Sequence, residues 1–311
     1  MRVTANTFPN SLIDQLSQLS VRQNRLQNQA ATGQLLQFPE DNPTAMRRVL
    51  DMQAESQTIS QYQRNIRREQ ELATASFDVM KSLKKISDKV GEIATSAGGI
   101  TSPAEMTVLA KQVSQQILAA VQAANTKNRS DYLLSGTKSD TPPYQLTTDA
   151  NGNVTSVTYQ GNSSLAESEI AEGVTITGQV LGGNTTGSGP RGLITDSRVG
   201  ADFFNHMISL QNNLLAGNKA AITATDLPQL AKDEDNFIVQ YGINGSIQSR
   251  LDTAAAIATQ RSGSLQSLIS KEADADLAQT LVKLHETQNA YQAALQSGGT
   301  ILNRSLLDYL H

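Results

Sequence analysis

The sequence predicts a mainly α fold: an elongated antiparallel helical rod or coiled coil, with paired N- and C-terminal helices and a small inserted β domain. Three observations carry that reading. Leucines recur at three- and four-residue steps near both ends of the chain. The stretches inside them keep a helical period behind strong start signals, and that period vanishes in one internal segment rich in Gly, Thr, Pro and Asn.

Composition supports thin helical layers over one large globular core. Only 4% of residues are aromatic and none is Trp, so the large anchors that usually dominate a core are scarce. Ala, Leu, Ile and Val mix instead with Gln, Ser and Asn. A formal charge of −4 gives no electrostatic case for nucleic acid. The absence of cysteine excludes disulfides, thiolate metal sites and a thiol nucleophile. No apolar run is long enough to cross a bilayer. The start, Met1 to Asn10, lacks the apolar core of a secretory signal peptide, which fits a cytoplasmic protein or one exported through an uncleaved N-terminus.

In chain order, Leu12, Leu16, Leu19, Leu26 and Ala30 form a heptad stripe, with Gln23 in the missing step, that breaks at Gly33. Asn42-Pro43 reads as an N-cap followed by proline at the first helical position. The helix it opens runs to Gly98-Gly99, roughly 80 Å at about 1.5 Å per residue. Its inner stripe is Ile59, Tyr62, Ile66, Ala73, Phe77, Met80, Val90, Ile93 and Ala97. Ser102-Pro103-Ala104-Glu105 is a capping box that starts an antiparallel partner, continued by Met106, Leu109, Val113, Ile117, Val121 and Ala124.

From Asp131 the helical period is lost. Tyr144–Thr148 and Val154–Tyr159 flank an Asn151-Gly152 turn, a strong hairpin signal. Val174–Thr177 is a further strand, and Gly182–Pro190 reads as a flexible return loop. Helical period resumes near Ser197, with Phe203, Met207, Leu210 and Leu214 before Gly217. After Asp226-Leu-Pro a helix continues, weakly interrupted around Gly242 and Gly245, through Leu251, Ala255, Ala258, Leu265, Leu268 and Ile269. Leu277, Leu281, Leu284, Gln288, Tyr291, Leu295, Gly298 and Leu302 then alternate by four and three, with Leu306 and Tyr309 continuing the seam. The expected domains are 1–42 with 272–311 (terminal coiled-coil assembly region), 43–130 with 196–271 (helical rod), and 131–195 (inserted β domain).

No catalytic constellation emerges. His206, His285 and His311 share no metal-ligand spacing or triad pattern. Asp149-Ala-Asn151-Gly-Asn153 starts like a calcium loop but has Val154 where the sixth-position glycine belongs, and reads better as the hairpin turn. Gly187–Gly192 lacks the Lys-Ser/Thr of a phosphate loop. Arg47, Arg48, Arg64, Arg67 and Arg68 lie among Glu55, Glu69 and Glu71 without aromatic platforms, which fits a solvated or subunit-facing surface. No cofactor and no metal are expected.

Ala31-Thr-Gly33 followed by Pro39-Glu-Asp41-Asn-Pro43 resembles a segment of the flagellin superfamily, with Asn42 at the second acidic position. Asp274-Ala-Asp276-Leu-Ala278 is similar to that superfamily's Asp-Ala-Asp-Tyr-Ala, with Leu277 replacing the aromatic. Ser130–Gly136 resembles its entry into the β domain. Pro43 and the ending Ser305-Leu-Leu-Asp-Tyr309-Leu-His311 favour the hook-associated branch over filament flagellins. The resemblance implies a non-enzymatic structural subunit at the junction of hook and filament, exported through the flagellar type III apparatus. Its implied partners are hook-associated protein 1, flagellin, identical subunits in a ring and an export chaperone holding the C-terminal region. The alternatives are a filament flagellin and a secreted coiled-coil adhesin or effector. The apolar seams name the assembly-interface candidates Leu12, Leu16, Leu19, Leu26, Leu277, Leu281, Leu284, Leu295, Leu302 and Leu306, which can equally form intrachain core. Both ends are expected to be poorly ordered in a free monomer, because isolated helices of this length are marginal in water.

Overall fold

A computed structural model of the chain describes residues 7–99 and 102–309, with side chains for residues 10–99 and 102–300. The described chain divides into two compact units, residues 1–58 with 261–311, and residues 59–260.

The first unit is helical. Helix α1 (Thr7–Thr32) ends at Gly33, which donates its N–H to Gln29 O at 2.9 Å and turns the chain out of the helix with a φ of 70°. Helix α2 (Pro43–Gly98) starts where Asn42 Oδ1 accepts from Ala45 N at 3.1 Å. Asp41, just before it, accepts from the amides of Gln37 and Phe38, both at 3.1 Å, and pairs with Arg25 at 3.0 Å. Those amides, chiefly Phe38's, hold the Asp41 carboxyl below its ordinary pKa.

Helix α6 (Leu227–Ala273) and helix α7 (Leu277–Tyr309) are separated by Asp274–Asp276, and Asp276 Oδ1 caps α7 by accepting from Gln279 N at 3.1 Å. The break pairs with the loop after α1. Gln34 and Asp274 form an antiparallel bridge, Leu35 N donates to Ala273 O at 2.7 Å, and Ala275 N donates to Gly33 O at 2.8 Å. Arg48–Glu272 (3.0 Å) and Arg261–Glu55 (2.6 Å) link α2 to α6 within this unit, and α1 packs against α7.

In the second unit α2 and α6 run antiparallel, as three successive links show. Lys84 pairs with Glu234 at 2.8 Å, Phe77 meets Tyr241 edge-on at 5.2 Å, and Gln70 Nε2 donates to Asp252 Oδ1 at 2.8 Å. Phe77, predicted on the inner stripe, lies at the edge of the packing, 36% exposed. Helix α3 (Pro103–Ala124) begins with the full Ser102/Glu105 capping box. Just beyond its end Arg129 pairs with Glu71 of α2 at 2.6 Å, so α3 too runs antiparallel to α2.

Short strands follow. β1 (Lys127–Asn128) pairs with β2 (Asp131–Tyr132), β3 (Tyr144–Thr148) with β4 (Val154–Tyr159), and β5 (Ser168–Ala171) with β6 (Val174–Ile176), all antiparallel. β7 (Leu181–Asn184) pairs in parallel with β8 (Gly192–Asp196), which pairs antiparallel with β9 (Ala201–Asp202). Strands thus occur a few residues to either side of the 131–195 segment. Helix α4 (Phe203–Leu215), the short turn α5 (Lys219–Ala221) and a π-helical turn (Ile222–Asp226) lead into α6.

Three expectations about loops, turns and helix continuity need correction. Gly182–Pro190 is not a flexible loop. Its first residues form β7, buried throughout, because Gly182 must lie against Leu134 O, 2.6 Å from where a Cβ would sit. The rest is tied down by Asn184, whose Nδ2 donates to Ser188 O and Pro190 O at 2.7 Å. Helix α6 is also unbroken at Gly242 and Gly245, since two glycines cost about 1 kcal/mol each and 47 residues of ladder absorb that. The β3–β4 turn spans five residues rather than two, organised by Asp149, whose Oδ1 accepts from Asn151 N and Asn153 N at 2.9 and 2.8 Å.

The core of this unit gathers the few aromatics. Phe203, Phe204 and Phe237 are buried, and Tyr144 lies 4.9 Å from the Phe204 ring and 5.2 Å from that of Tyr159. Met80, Leu83, Ile117, Leu134 and Leu193 fill the space around them. A scarce aromatic set suffices because it is concentrated where the strands meet the helices.

Candidate assembly interface

The α1–α7 pair places the terminal seam residues. On α1, Leu26 is buried and Leu12, Leu16 and Leu19 are half-buried. On α7 the buried positions are Thr280, Leu284, Thr287 and Gly298, with Tyr291 and Ala294 half-buried between them. This is a four-three row, but only Leu284, Tyr291 and Gly298 belong to the predicted seam. Its other positions hold Thr280, Thr287 and Ala294, each one residue before Leu281, Gln288 and Leu295. One residue is about 100° of helix rotation, so those leucines turn outwards. Leu277, Leu281 and Leu295 are 48%, 46% and 49% exposed. The side chains of Leu302 and Leu306 fall outside the described residues, as does His311.

Small residues explain the close seam. A Cβ on Gly298 would come within 2.4 Å of Leu12 Cδ2, so Leu12 packs directly on the α7 backbone. Gln29, also buried, turns its Nε2 to Leu35 O at 3.2 Å. The pair therefore buries two threonines, a glutamine and a glycine beside two buried leucines, Leu26 and Leu284, while Ile13 (62% exposed), Val21 (66%) and Val282 (57%) join the outward leucines. Exposed apolar residues of this size on both helices constitute a face that the chain's own partner helix leaves uncovered. The small-residue row Thr280, Thr287, Ala294 was present in the sequence, but leucine periodicity alone outweighs it.

The second unit holds polar sites that sequence periodicity does not reveal. His206 Nδ1 lies 2.7 Å from Asp233 Oδ2, and Asp202 N donates to Asp233 Oδ1 at 2.8 Å, which fixes the β9–α4 junction onto α6. Burial raises the Asp233 pKa, with the His206 hydrogen bond opposing it. Asp196 is fully buried and receives Arg198 Nε and Nη2 at 2.9 and 2.5 Å, with Gly192 N at 3.0 Å. Burial alone would raise its pKa, but Arg198 and the amides outweigh that and hold it below the ordinary value. Glu69, likewise buried, accepts from Ser168 Oγ at 2.5 Å and Gly178 N at 2.7 Å, latching the β5–β6 hairpin to α2. Each carboxylate closes a joint of the fold.

His285 is exposed on α7, and Arg47, Arg67 and Arg68 are exposed on α2. Among the described residues no group of three or more His, Asp or Glu could hold a metal ion, and no helix is long and apolar enough to cross a membrane.

Comparison with known proteins places the fold. No family model matches the sequence, and no curated protein matches it. Solved structures do. A Vibrio parahaemolyticus protein assigned as a flagellar hook-associated protein aligns with a TM-score of 0.63 at 17% identity, over 75% of this chain and all of that one. FlgL of Bacillus cereus aligns at 0.55 and 15% identity, over 71% of this chain and 99% of that one. The flagellar junction protein FlgL of Legionella pneumophila aligns at 0.51 and 14% identity, over 66% of this chain and 99% of that one. At such identities the likeness is one of fold: a mainly α chain with an inserted β region, shared over nearly the whole of each solved structure.

Proposed function

We propose that this chain is a structural, non-enzymatic subunit of the bacterial flagellum at the junction between hook and filament, in the role of hook-associated protein 3. The observation that carries the reading is the uncovered leucine face of the α1–α7 pair, on a fold shared with flagellar hook-associated proteins. The motifs around Gly33–Pro43 and Asp274–Ala278 add to it, because they coincide with the paired chain breaks that set α1 and α7 side by side.

In this role the two ends gain their full burial only beside other subunits. Apolar area removed from water is worth about 25 cal/mol per Å², so Leu277, Leu281 and Leu295, with Ile13 and Val21, stabilise an assembly while adding little to the lone chain. Leu12, Leu16, Leu19, Leu26 and Leu284 hold the pair together, and Leu302 and Leu306 are assembly candidates by their sequence period alone. Residues 1–42 with 272–311 serve assembly, 43–130 with 196–271 the helical body, and 131–195 the β insertion. The partners are hook-associated protein 1, flagellin, identical copies in a ring and an export chaperone, and the site of action is extracellular after type III export.

Electron microscopy of cells lacking the gene tests this: hooks without filaments and flagellin shed into the medium are expected. A chain lacking residues 272–311 should stay soluble yet fail to restore filaments. Filaments of normal number with either change would overturn the proposal.

A further inference from the structure

The outward face of α6 in the second unit departs from what a solvent-facing helix normally carries. Between Asp235 and Ile257 the exposed row runs Ile238, Val239, Gly242, Ser246, Ser249 and Thr253, with no charged residue. Ile238, Val239 and Ile257 are 53%, 40% and 63% exposed. Arg250 and Asp252 flank this row, about 80° to either side of Gly242 at 100° per residue. A surface helix normally sets charged and polar residues opposite its core stripe, as α2 does with Arg67, Arg68, Lys81 and Lys85. Gly242 and Gly245 add a second anomaly. They sit mid-helix, where glycine is a poor former, and a Cβ on either would meet nothing within 4 Å. Among the described residues, nothing in the chain's own packing uses their lack of a side chain.

The outward face of α3 is the natural counterpart. Val108 and Leu118 are 56% and 36% exposed, between Thr107, Gln115 and Gln122, and Lys111 is the single charge near its centre. Asp235 is the single charge on the α6 row. Neither Lys111 nor Asp235 makes an ion pair among the described residues. The spacing also matches. Leu118 lies two helical turns beyond Lys111, and Gly242 lies two turns beyond Asp235. Both helices run antiparallel to α2, so they are parallel in copies that point the same way. If such copies slide until Lys111 meets Asp235, Leu118 falls on Gly242 and Gln115 on Val239.

We infer that the α3 face of one copy docks on the α6 face of a second copy of this chain, with Lys111 paired to Asp235 and Leu118 seated on the bare backbone at Gly242. The contact is heterologous, since two different surfaces meet, and such a contact continues from copy to copy. The inference rests on the proposed assembly role and gives it a lateral surface distinct from the α1–α7 leucines.

The native chain has no cysteine, so single substitutions report cleanly. Purified full-length Gln115→Cys and Val239→Cys chains, mixed at high concentration and treated with a short bis-maleimide, should give a mixed cross-linked dimer. Gln115→Cys mixed with Lys85→Cys should not. Lys111→Glu on the Gln115→Cys chain should lower the yield about tenfold, and Asp235→Lys on the other chain should restore it to within about threefold. Gly242→Leu should raise the thermal midpoint of the separate chain yet abolish the cross-link, an outcome that a purely structural role for Gly242 does not produce. Equal yields from both mixtures, or no rescue by the exchanged charges, would overturn the inference. Repeating the cross-link on isolated flagella separates the two claims. A chain present in flagella without the cross-link overturns this contact and leaves the function standing. A chain absent from flagella whose copies cross-link in solution keeps the contact and removes the function.

Discussion

The second unit and the α1–α7 pair of the first differ in what closes them. In the second unit, Phe203, Phe204 and Phe237 are enclosed, and the buried carboxylates Glu69, Asp196 and Asp233 each have hydrogen-bond donors from the same unit. In the α1–α7 pair, two threonines and a glutamine occupy the seam while leucines face outwards. The first arrangement completes itself. The second leaves apolar surface exposed. The lesson is that a helix pair can be well specified in register and still be weakly held, because small residues set the register and large ones supply the burial.

Hydrogen exchange on the free chain gives the largest contrast. Amides of α1 and α7 should exchange about 10³-fold faster or more than those around Met80 and Leu83, which corresponds to roughly 4 kcal/mol between local and global opening. Equal protection in both regions would remove the distinction. Core truncation sharpens it. Phe203→Ala should cost about 4 kcal/mol in the main urea transition, whereas Leu284→Ala should leave that transition within about 0.5 kcal/mol and only speed exchange in the terminal pair.

Acid titration probes the polar joints. The Asp196 pKa is lowered in the fold, so its contribution is present above the unfolded value of about 3.9 and is lost as pH falls through the folded one. Asp196→Asn should therefore cost about 2 kcal/mol at pH 7, a deficit that shrinks below pH 4 in urea titrations at successive pH values. Neighbouring glycines give the smallest effect. Gly299→Ala meets nothing within 4 Å and should gain up to about 1 kcal/mol of helix stability, whereas Gly298→Ala must move Leu12 and should gain less. Circular dichroism melts of the two variants compare them directly.

Local chemistry made much of the fold legible. Asn42-Pro43, the Ser102/Glu105 box, Gly33 and Gly217 marked helix ends because capping and left-handed backbone are decided within a few residues. Tyr144–Thr148 and Val154–Tyr159 were readable as a hairpin for the same reason. β1, β2, β5, β7, β8 and β9 were not, since each has at most five residues, and β7 depends besides on a distant close approach, Leu134 O lying 2.6 Å from where a Cβ on Gly182 would sit. The site was legible in part. Leucine periodicity marked α7 as a helix packed along one seam, but not which leucines turn inwards.

By itself the sequence determined the order of helices, their ends and the place of the β insertion, because each depends on neighbours in the chain or on composition. Tertiary structure alone decided that Thr280 and Thr287 face α1 while Leu281 and Leu295 face out. It also decided that Asp233 meets His206 and that Gly242 stands bare. Those outcomes depend on how closely one helix approaches another, and a difference of one residue in rotation exchanges the buried face for the exposed one.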